Sequence, residues 1–292
     1  MASSGRIILI SSHVAAGAVG NRIMGFTLER LGMETVDIPT VLLPHHPGFG
    51  LGRPILASAA DFAALLAGVA TRFSERPPLA VATGYFGRAE HVKETAHFIA
   101  GLKERFPGLV YLCDPVMGDS DRLYVPEPVA EAIRDHLLPL ADIATPNVFE
   151  FGWLTGTKPE PDPTALVADA RRLGPAEVIV TSAPALMRGR MAAVLVKPNE
   201  TILAEHPVVE NPAKGAGDLF SALYLGRKIL GASSEEALAF AAAGTADLFA
   251  VTKQLGRDEL AFAEGQDVML RPNLGRIALR RIAEAKGPIS LA

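Results

Sequence analysis

The chain has 292 residues, of which 49% are hydrophobic and 21% charged, and its formal net charge is −4. This balance is typical of a globular protein with a large core, folded as one large domain or two small ones. The weak acidic charge, without a basic stripe, argues against nucleic acid as a partner. No apolar stretch reaches the ~18 residues that a membrane span needs, so we expect no membrane partner either.

The only cysteine, Cys113, cannot form a disulfide within the chain. Residues 1–6 lead into an apolar, strand-like run and do not resemble a signal peptide. Free thiols are typical of reducing compartments, so we expect a cytoplasmic protein.

Short apolar runs alternate with longer helical patterns through the first two thirds of the chain. The predicted strands are 6–11, 79–83, 109–113, 142–144 and 177–181, and the predicted helices are 20–31, 58–73, 89–106, 127–138 and 162–173. This alternation predicts a mostly parallel sheet covered by helices.

The remaining segments complete the predicted α/β domain. Residues 191–196 and 201–207 are predicted to form an antiparallel hairpin at one edge of the sheet, and 217–230, 234–252 and 273–285 are predicted helices. Residues 39–54 are rich in proline, glycine and histidine, which favours a loop over one end of the sheet. Because no linker, composition shift or repeat divides the sequence, we expect one domain over residues 1–292.

Polar residues follow four of the predicted strands, at the edge where ligands bind in open parallel sheets. They are Ser12 and His13, Gly84 and Tyr85, Asp114 and Asp119, and Thr145, Asn147 and Glu150. The three acids could bind a hard divalent ion through waters, as magnesium sites beside phosphates do. Each acid also has a structural alternative: a turn start, an exposed loop position and the first turn of a helix capped near 145–147. Acids at successive strand ends favour the shared site.

Gly215-Ala216-Gly217-Asp218 precedes an apolar helical run that ends at Gly231. Unpaired amides and the positive dipole end favour an anion at such a helix start, and glycine lets the main chain approach it. A G-x-G-D string is common by chance, so its meaning depends on the acids elsewhere.

Several other motifs are missing. The chain has no P-loop, no H-E-x-x-H or cysteine cluster for zinc and no G-x-S-x-G elbow, and its Gly48–Gly52 repeat lies in the proline-rich loop instead of between a strand and a helix. His45 and His46 are adjacent but lack a third ligand, so packing or substrate contact is favoured over metal binding.

Taken together, the motifs resemble those of the pyridoxal kinases, members of the ribokinase-like superfamily. The resemblance rests on 113–119 (C-D-P-V-M-G-D), 145–150 (T-P-N-V-F-E) and 215–218 (G-A-G-D), with support from 11–13, 83–85 and His46, and it covers about residues 6–255. It implies a three-layer α/β/α sandwich with a mostly parallel central sheet and an antiparallel edge. The implied activity is ATP-dependent phosphorylation of the 5′-hydroxymethyl group of vitamin B6, with Mg²⁺ and a monovalent cation such as K⁺, by a homodimer.

The resemblance also implies roles for single residues. Asp218 would be the base, for which a carboxylate with an ordinary pKa of about 4 suffices, and the amides of Gly215, Ala216, Gly217 and Asp218 would stabilise the transferring phosphoryl group. The vitamin would contact Ser12, His46 and Tyr85 as well as Asp218. The implied metal-binding residues are Asp114, Asp119, Thr145 and Glu150. The implied ATP-binding residues are Asp114, Asp119, Tyr124, Asn147, Glu150, Thr181, Ser182, Gly215 and Gly217. A short lid at 119–126 would place Tyr124 over the triphosphate.

The sequence departs from the family pattern in the loop over residues 39–54, which the resemblance identifies as the substrate loop. Pyridoxal kinases commonly have Asn-His-Thr there, whereas this chain has His45-His46-Pro47 and lacks that hydroxyl. The alternatives are a hydroxymethylpyrimidine kinase of the same superfamily, whose anion hole usually has cysteine at the position of Asp218, and a nucleotide- or B6-binding sensor without turnover.

Overall fold

A nine-stranded sheet runs through the described part of the computed structural model, which covers residues 5–50, 52–74, 76–158, 160–208 and 213–282. Its strand order is β11-β10-β9-β8-β7-β4-β3-β1-β2. The strands of this sheet are β1 (Arg6–Val14), β2 (Glu34–Leu43), β3 (Ala80–Thr83), β4 (Val110–Cys113), β7 (Ile143–Ala144), β8 (Glu177–Pro184), β9 (Arg190–Lys197), β10 (Glu200–Pro207) and β11 (Ala278–Arg281). A separate two-stranded sheet pairs β5 (Gly118–Asp119) with β6 (Arg122–Leu123).

Strands β2, β1, β3, β4, β7 and β8 are parallel, whereas β8, β9, β10 and β11 pair antiparallel. This arrangement confirms the predicted mostly parallel sheet with an antiparallel hairpin near one edge. Parallel strands need helical crossovers, so the sheet is covered on both faces, and its central strands β3, β4 and β7 are almost fully apolar. The polar residues in the last part of β1 and after β3, β4 and β7 therefore meet at one edge of the sheet, since β1 continues to Val14 instead of ending at residue 11.

The helices agree with the predicted positions in most of the chain. They are α1 (Asn21–Arg30), α2 (Ala59–Ala70), α3 (Ala89–Arg105), α4 (Glu127–Ala132), α5 (Val148–Thr155), α6 (Val167–Arg172), α7 (Ala216–Ile229), α8 (Ser234–Gln254) and α9 (Gln266–Leu270). The predicted helix over 127–138 is less regular than expected, because after α4 it continues as a π-helical turn at Ile133–Leu137 and a 3₁₀ turn at Leu138–Leu140. No helix in these described ranges is long and apolar enough to cross a membrane.

Two predicted elements are wrong. The helix expected over 273–285 is instead a 3₁₀ turn at Leu274–Arg276 followed by β11, as far as residue 282, where the description ends. The loop expected over 39–54 begins later, because β2 extends to Leu43. Proline at position 39 is compatible with β2 because this strand forms the edge of the sheet, where a missing N–H is tolerated.

Hydrophobic clusters lie on both faces of the sheet and give the three layers. On one face α1, α7 and α8 pack on the strands through residues such as Leu28, Leu223 and Leu238. On the other face α2, α3 and α4 contribute Phe62, Ile99 and Val129. The sandwich fixes α7 with its first turn at the edge where the parallel strands end.

The opposite end of α7 is tied to the start of β8 by a polar cluster around Glu177. The Tyr224 hydroxyl donates to Glu177 Oε2 at 2.6 Å, and Lys228 Nζ and Ser234 Oγ contact Oε1 at 3.0 and 2.5 Å. Burial would raise the pKa of Glu177, but these donors and the Lys228 charge outweigh it and lower the pKa. This cluster fixes the C-terminal half of α7, and the first turn of the same helix forms part of the site.

Candidate active site

The first turn of α7 carries Asp218 on a glycine-lined main chain. Gly215, the residue before the helix, has a φ of 95°, and a methyl group there would collide with the carbonyl of Ala18. A side chain is therefore excluded on both conformational and steric grounds. Asp218 Oδ2 accepts a hydrogen bond from the Gly20 amide at 3.0 Å, which joins the start of α7 to the start of α1.

The carboxylate of Asp218 is a stronger base than the sequence suggested. Burial raises its pKa to about 6, and the bond from the Gly20 amide opposes this shift only in part. An ordinary pKa of about 4 would suffice for the role of base, and the higher value arises because the fold withdraws most of the group from water. Asp218 is thus poised to hold a proton close to neutral pH.

Asp114, at the end of β4, lies beside the first turns of α7. Its Oδ2 accepts a hydrogen bond from Ser221 Oγ at 2.9 Å, and Ser221 Oγ is also 2.9 Å from Thr145 Oγ1. Burial and the Asp218 charge raise the pKa of Asp114 to about 8, while Ser221 and Thr145 oppose the shift. Because the negative charges of the two carboxylates repel each other, binding of a cation or a proton is favoured here.

Glu150 is also buried, and its carboxylate is held by main-chain amides. Oε1 accepts from Met117 at 2.9 Å and Gly118 at 3.4 Å, and Oε2 accepts from Asn147 at 2.8 Å. Burial and the charge of Asp114 raise the pKa of Glu150, whereas the three amide donors act to lower it. With the Asn147 side chain accepting from the Glu150 amide, the pair forms a capping box, so the structural alternative for Glu150 is confirmed.

The lid hairpin β5–β6 stands over this group of acids. Asp119 is exposed there, and its Oδ1 accepts from the Ser120 amide at 2.7 Å. Across the residues described, no set of three or more histidine, cysteine, aspartate or glutamate side chains could hold a metal ion. The structure thus brings Asp114 and Glu150 together, beside Thr145, and leaves Asp119 outside as a third ligand.

Two tyrosines stack beside the acids of the site. Tyr85, after β3, and Tyr124, after the lid hairpin, stack with ring centroids 6.4 Å apart and an interplanar angle of 23°. The Tyr85 amide donates to Ser11 Oγ at 3.1 Å. A methyl group on Gly84 would lie 2.5 Å from Ser11 Oγ and 3.7 Å from Asp218 Oδ1, so the glycine keeps Tyr85 close to the base.

Comparison with known proteins decides the family. The sequence model described as phosphomethylpyrimidine kinase matches residues 59–261. Pyridoxal kinase PdxY of Leifsonia xyli is 32% identical over 272 residues, which are 91% of this chain and 96% of the relative. The chain belongs to the pyridoxal kinase family. The corresponding protein of Corynebacterium diphtheriae is 33% identical over 92% of this chain and 96% of its own. A solved structure of pyridoxal kinase from Leishmania donovani, in complex with ADP and pyridoxamine, matches 96% of this chain and 100% of its own at a TM-score of 0.88 and 26% identity.

At the centre of the substrate loop, where the sequence departs from the pattern usual in pyridoxal kinases, the chain forms a short turn. Pro47 begins a 3₁₀ turn at Pro47–Phe49, and His46 Nδ1 accepts the Gly48 amide at 2.9 Å. Burial lowers the pKa of His46, and the nearby charges of Lys214 and His45 lower it further. Lys214 directly precedes Gly215, so the loop lies close to the start of α7.

Other residues expected from the pyridoxal kinase resemblance take specific places. Ser12 is buried at the bulge of β1, between Ser11 and His13. Strand β8 continues to Pro184 instead of ending at 181, so Thr181 and Ser182 lie within it. Both are at a bulge of the strand, where Ser182 has a φ of 54°. Asn147 uses its side-chain amide to donate to Gly118 O at 2.8 Å.

The structure adds two residues to the site that the sequence reasoning did not assign. Gly20 supplies the amide for Asp218, and Ser221 bridges Asp114 and Thr145. Ser221 stands one helical turn after Asp218, and that spacing places both on one face of α7 and could have identified it. The expected monovalent cation, homodimer, single domain and cytoplasmic location stay predictions.

Proposed function

We propose that this chain catalyses ATP-dependent phosphorylation of the 5′-hydroxymethyl group of pyridoxal, and of pyridoxine and pyridoxamine, giving the 5′-phosphate and ADP. One observation carries the proposal: Asp218 stands at the glycine-lined start of α7, bonded to the Gly20 amide and close to the Gly84–Tyr85 turn. A base, an anion-binding helix start and an aromatic face for a pyridine ring meet there.

The first chemical task of these residues is to move one proton. As the hydroxymethyl oxygen attacks the γ-phosphorus, Asp218 receives the hydroxyl proton, and the bond from the γ-phosphorus to the bridging oxygen breaks to release ADP. A pKa of about 6 suits this role, since the group is mostly ionised at pH 7 yet holds a proton better than an exposed aspartate. The main-chain amides at Gly215, Ala216 and Gly217 stabilise the negative charge on the phosphoryl oxygens.

Magnesium fits the acids beside Asp218, on the same face of α7. Asp114 has its pKa raised by burial and by Asp218, and a divalent cation would relieve that cost. Mg²⁺ is usually held by one or two carboxylates together with substrate phosphates, so Asp114, Glu150 and the Thr145 hydroxyl would suffice, with Asp119 reached through the lid. When bound, the ion would neutralise charge on the β- and γ-phosphates.

The vitamin and the nucleotide would approach from opposite sides of Asp218. For the vitamin, Ser12 would contact the polar edge of the pyridine ring, Tyr85 its face, and His46 would lie in the loop above it. Tyr124, expected over the triphosphate, stacks on Tyr85 with ring centroids 6.4 Å apart, so it would lie where the vitamin and the nucleotide meet.

For the nucleotide, the lid hairpin and the bulge of β8 lie on either side of Asn147. Thr181 bonds through its amide to Pro146 O at 2.9 Å, which places the bulge beside the turn that precedes α5. Thr181 and Ser182 would contact ATP there. Asn147 would act on the phosphates mainly by fixing the lid strand through Gly118 O.

A substrate panel tests the proposal. Purified protein with Mg-ATP is offered pyridoxal, pyridoxine, pyridoxamine and hydroxymethylpyrimidine, and ADP release is measured. We expect the B6 compounds to be phosphorylated best. The match to the phosphomethylpyrimidine kinase model favours the pyrimidine as the second candidate, and equal or faster turnover of it would overturn the B6 assignment. No ADP with any compound would favour a binding sensor.

Three further properties belong to the proposal. We expect a homodimer, measured by size-exclusion chromatography with light scattering, and a dependence of turnover on K⁺, measured by exchange for Na⁺. A cytoplasmic location agrees with the buried, unpaired Cys113.

A further inference from the structure

The imidazole of His91 lies between the two ends of the substrate loop. His91 is in the first turn of α3 and fully buried. Its Nδ1 is 3.2 Å from the carbonyl oxygen of Thr40, in β2 before the loop, and its Nε2 is 3.1 Å from the carbonyl oxygen of Ala57, after the loop. The ring stacks on Phe62 of α2 with centroids 4.2 Å apart and an angle of 18°.

The same two chain segments meet again at the base of the loop. The Leu42 amide donates to Ile55 O, and the Ile55 amide donates to Leu42 O, both at 2.9 Å. A methyl group on Gly87 would lie 2.7 Å from Leu56 Cδ2, so the turn before α3 packs directly under the second segment. Main-chain hydrogen bonds therefore already hold the two ends of the loop together, and the His91 side chain adds a further contact between them.

Thr40 extends this connection to the aromatic face of the site. Its hydroxyl donates to the carbonyl oxygen of Tyr85 at 2.6 Å, while its own carbonyl oxygen faces His91. Tyr85 and His91 flank one turn, between β3 and α3. A change at His91 would therefore reach both the loop that carries His46 and the main chain that carries Tyr85.

The number of N–H donors on the ring limits how many of the two carbonyl oxygens it can bond at once. Burial lowers the pKa of His91, and the charge of Arg88 lowers it further. The two carbonyl contacts and the charge of Glu90 act to raise the pKa, but the net shift is downward. A neutral imidazole has one N–H, and carbonyls only accept, so the ring donates to one end of the loop at a time. Either nitrogen can carry the proton, and each tautomer serves one end.

We propose that His91 is a positioning residue for the vitamer: its imidazole packs between the two ends of the substrate loop, donates to one of them at a time and, through Thr40, fixes the main chain that carries Tyr85. The inference rests on the proposed function for its kinetic consequence. The structural consequence, a loop that is closed at its base, does not depend on the substrate.

The test uses three substitutions at this position. His91→Phe keeps the stacking on Phe62 and removes both nitrogens. His91→Asn places an amide nitrogen near Nδ1 and keeps the Thr40 end, and His91→Gln places one near Nε2 and keeps the Ala57 end. We expect the KM for pyridoxal to rise about tenfold in His91→Phe, with kcat and the KM for ATP within about twofold, and to recover in part in the other two.

Loop closure is measured separately and without substrate. Chymotrypsin can cleave after Phe49, which is exposed in the loop. We expect about tenfold faster cleavage in His91→Phe at a protease concentration where cleavage follows opening, with intermediate rates in the Asn and Gln variants. If the protein turns over no B6 compound, the proposed function fails while this measurement still decides the closure of the loop.

Two control variants separate positioning from general loss of stability. His97→Phe changes an exposed histidine of the same helix, and Ile99→Ala removes core contacts of α3 away from the loop. The inference is overturned if His91→Phe leaves both cleavage and the pyridoxal KM unchanged. It is equally overturned if Ile99→Ala reproduces the selective rise in that KM. Should His91→Phe fail to fold, the Asn and Gln variants carry the comparison with the same criteria.

Discussion

Replacing Asp218 with asparagine should stabilise the protein while it abolishes most of the turnover. Burial raises the pKa of this carboxyl from 3.8 to about 6, which means that its charged form is less favourable in the folded state than in the unfolded one. Two pH units correspond to roughly 3 kcal/mol, and partial exposure of the side chain reduces this to about 1–2 kcal/mol. Relief of the nearby Asp114, whose pKa is also raised by Asp218, adds in the same direction.

The sign of this effect fixes its pH window. For an acid whose folded pKa is raised, the cost of ionisation is absent below the unfolded pKa near 4, grows between about pH 4 and 6, and is complete above pH 6. Asp218→Asn should therefore be more stable than the parent by about 1–2 kcal/mol at pH 8 and equal to it near pH 4. Asn can still accept the Gly20 amide, so that hydrogen bond is retained.

Urea unfolding at several pH values measures the stability, and coupled ADP release measures the turnover. We expect kcat to fall at least ~10²-fold in the variant, and kcat/KM of the parent to lose activity below an apparent pKa of about 6. Asp121→Asn, an exposed carboxyl in the lid, is the stability control. No gain in stability at pH 8 would refute the argument from burial, and near-normal turnover would remove Asp218 from the role of base.

Two further predictions concern other hydrogen-bonded acids. In Ser221→Ala, Asp114 Oδ2 loses its 2.9 Å donor, so we expect the Mg²⁺ concentration for half-maximal turnover to rise about 5- to 30-fold in a titration at saturating ATP; an unchanged requirement contradicts the proposed metal site. In Glu205→Gln, the fully buried acid that accepts from Arg280 at 2.8 Å loses its charge, so unfolding in urea should need about 1–3 kcal/mol less at pH 7 with kcat unchanged, and a neutral effect would show that the β10–β11 contact adds no stability.

The sequence predicted the parallel sheet and most of the site because both depend on local pattern. Apolar runs with helices between them allow few topologies, and strand ends of one sheet meet at one edge. Asp114, Tyr85 and Glu150 could therefore be placed together from the sequence, whereas Asp218 joined them through the family resemblance.

The errors come from partners that are remote in the chain. The segment 273–285 contains helix-forming residues, but 278–281 pairs with β10, and Arg280 reaches the buried Glu205, so tertiary contacts override local propensity. The raised pKa of Asp218 could not be predicted for the same reason, because it depends on how deeply the fold buries the side chain. The capping box of Asn147 was the opposite case, since its four-residue spacing is local and was recognised.

The anchor at Glu177 has a consequence for how the enzyme would tolerate change. Tyr224 and Lys228 lie six and ten residues after Asp218, which places them about 9 and 15 Å along α7. A rigid helix held at its far end transmits a displacement there to the amides at its start, and an error of about 1 Å in a phosphoryl site costs on the order of a hundredfold in rate. In a random mutagenesis library, substitutions at Glu177 should therefore appear among inactive clones whose protein is still folded, although this residue touches no reactant.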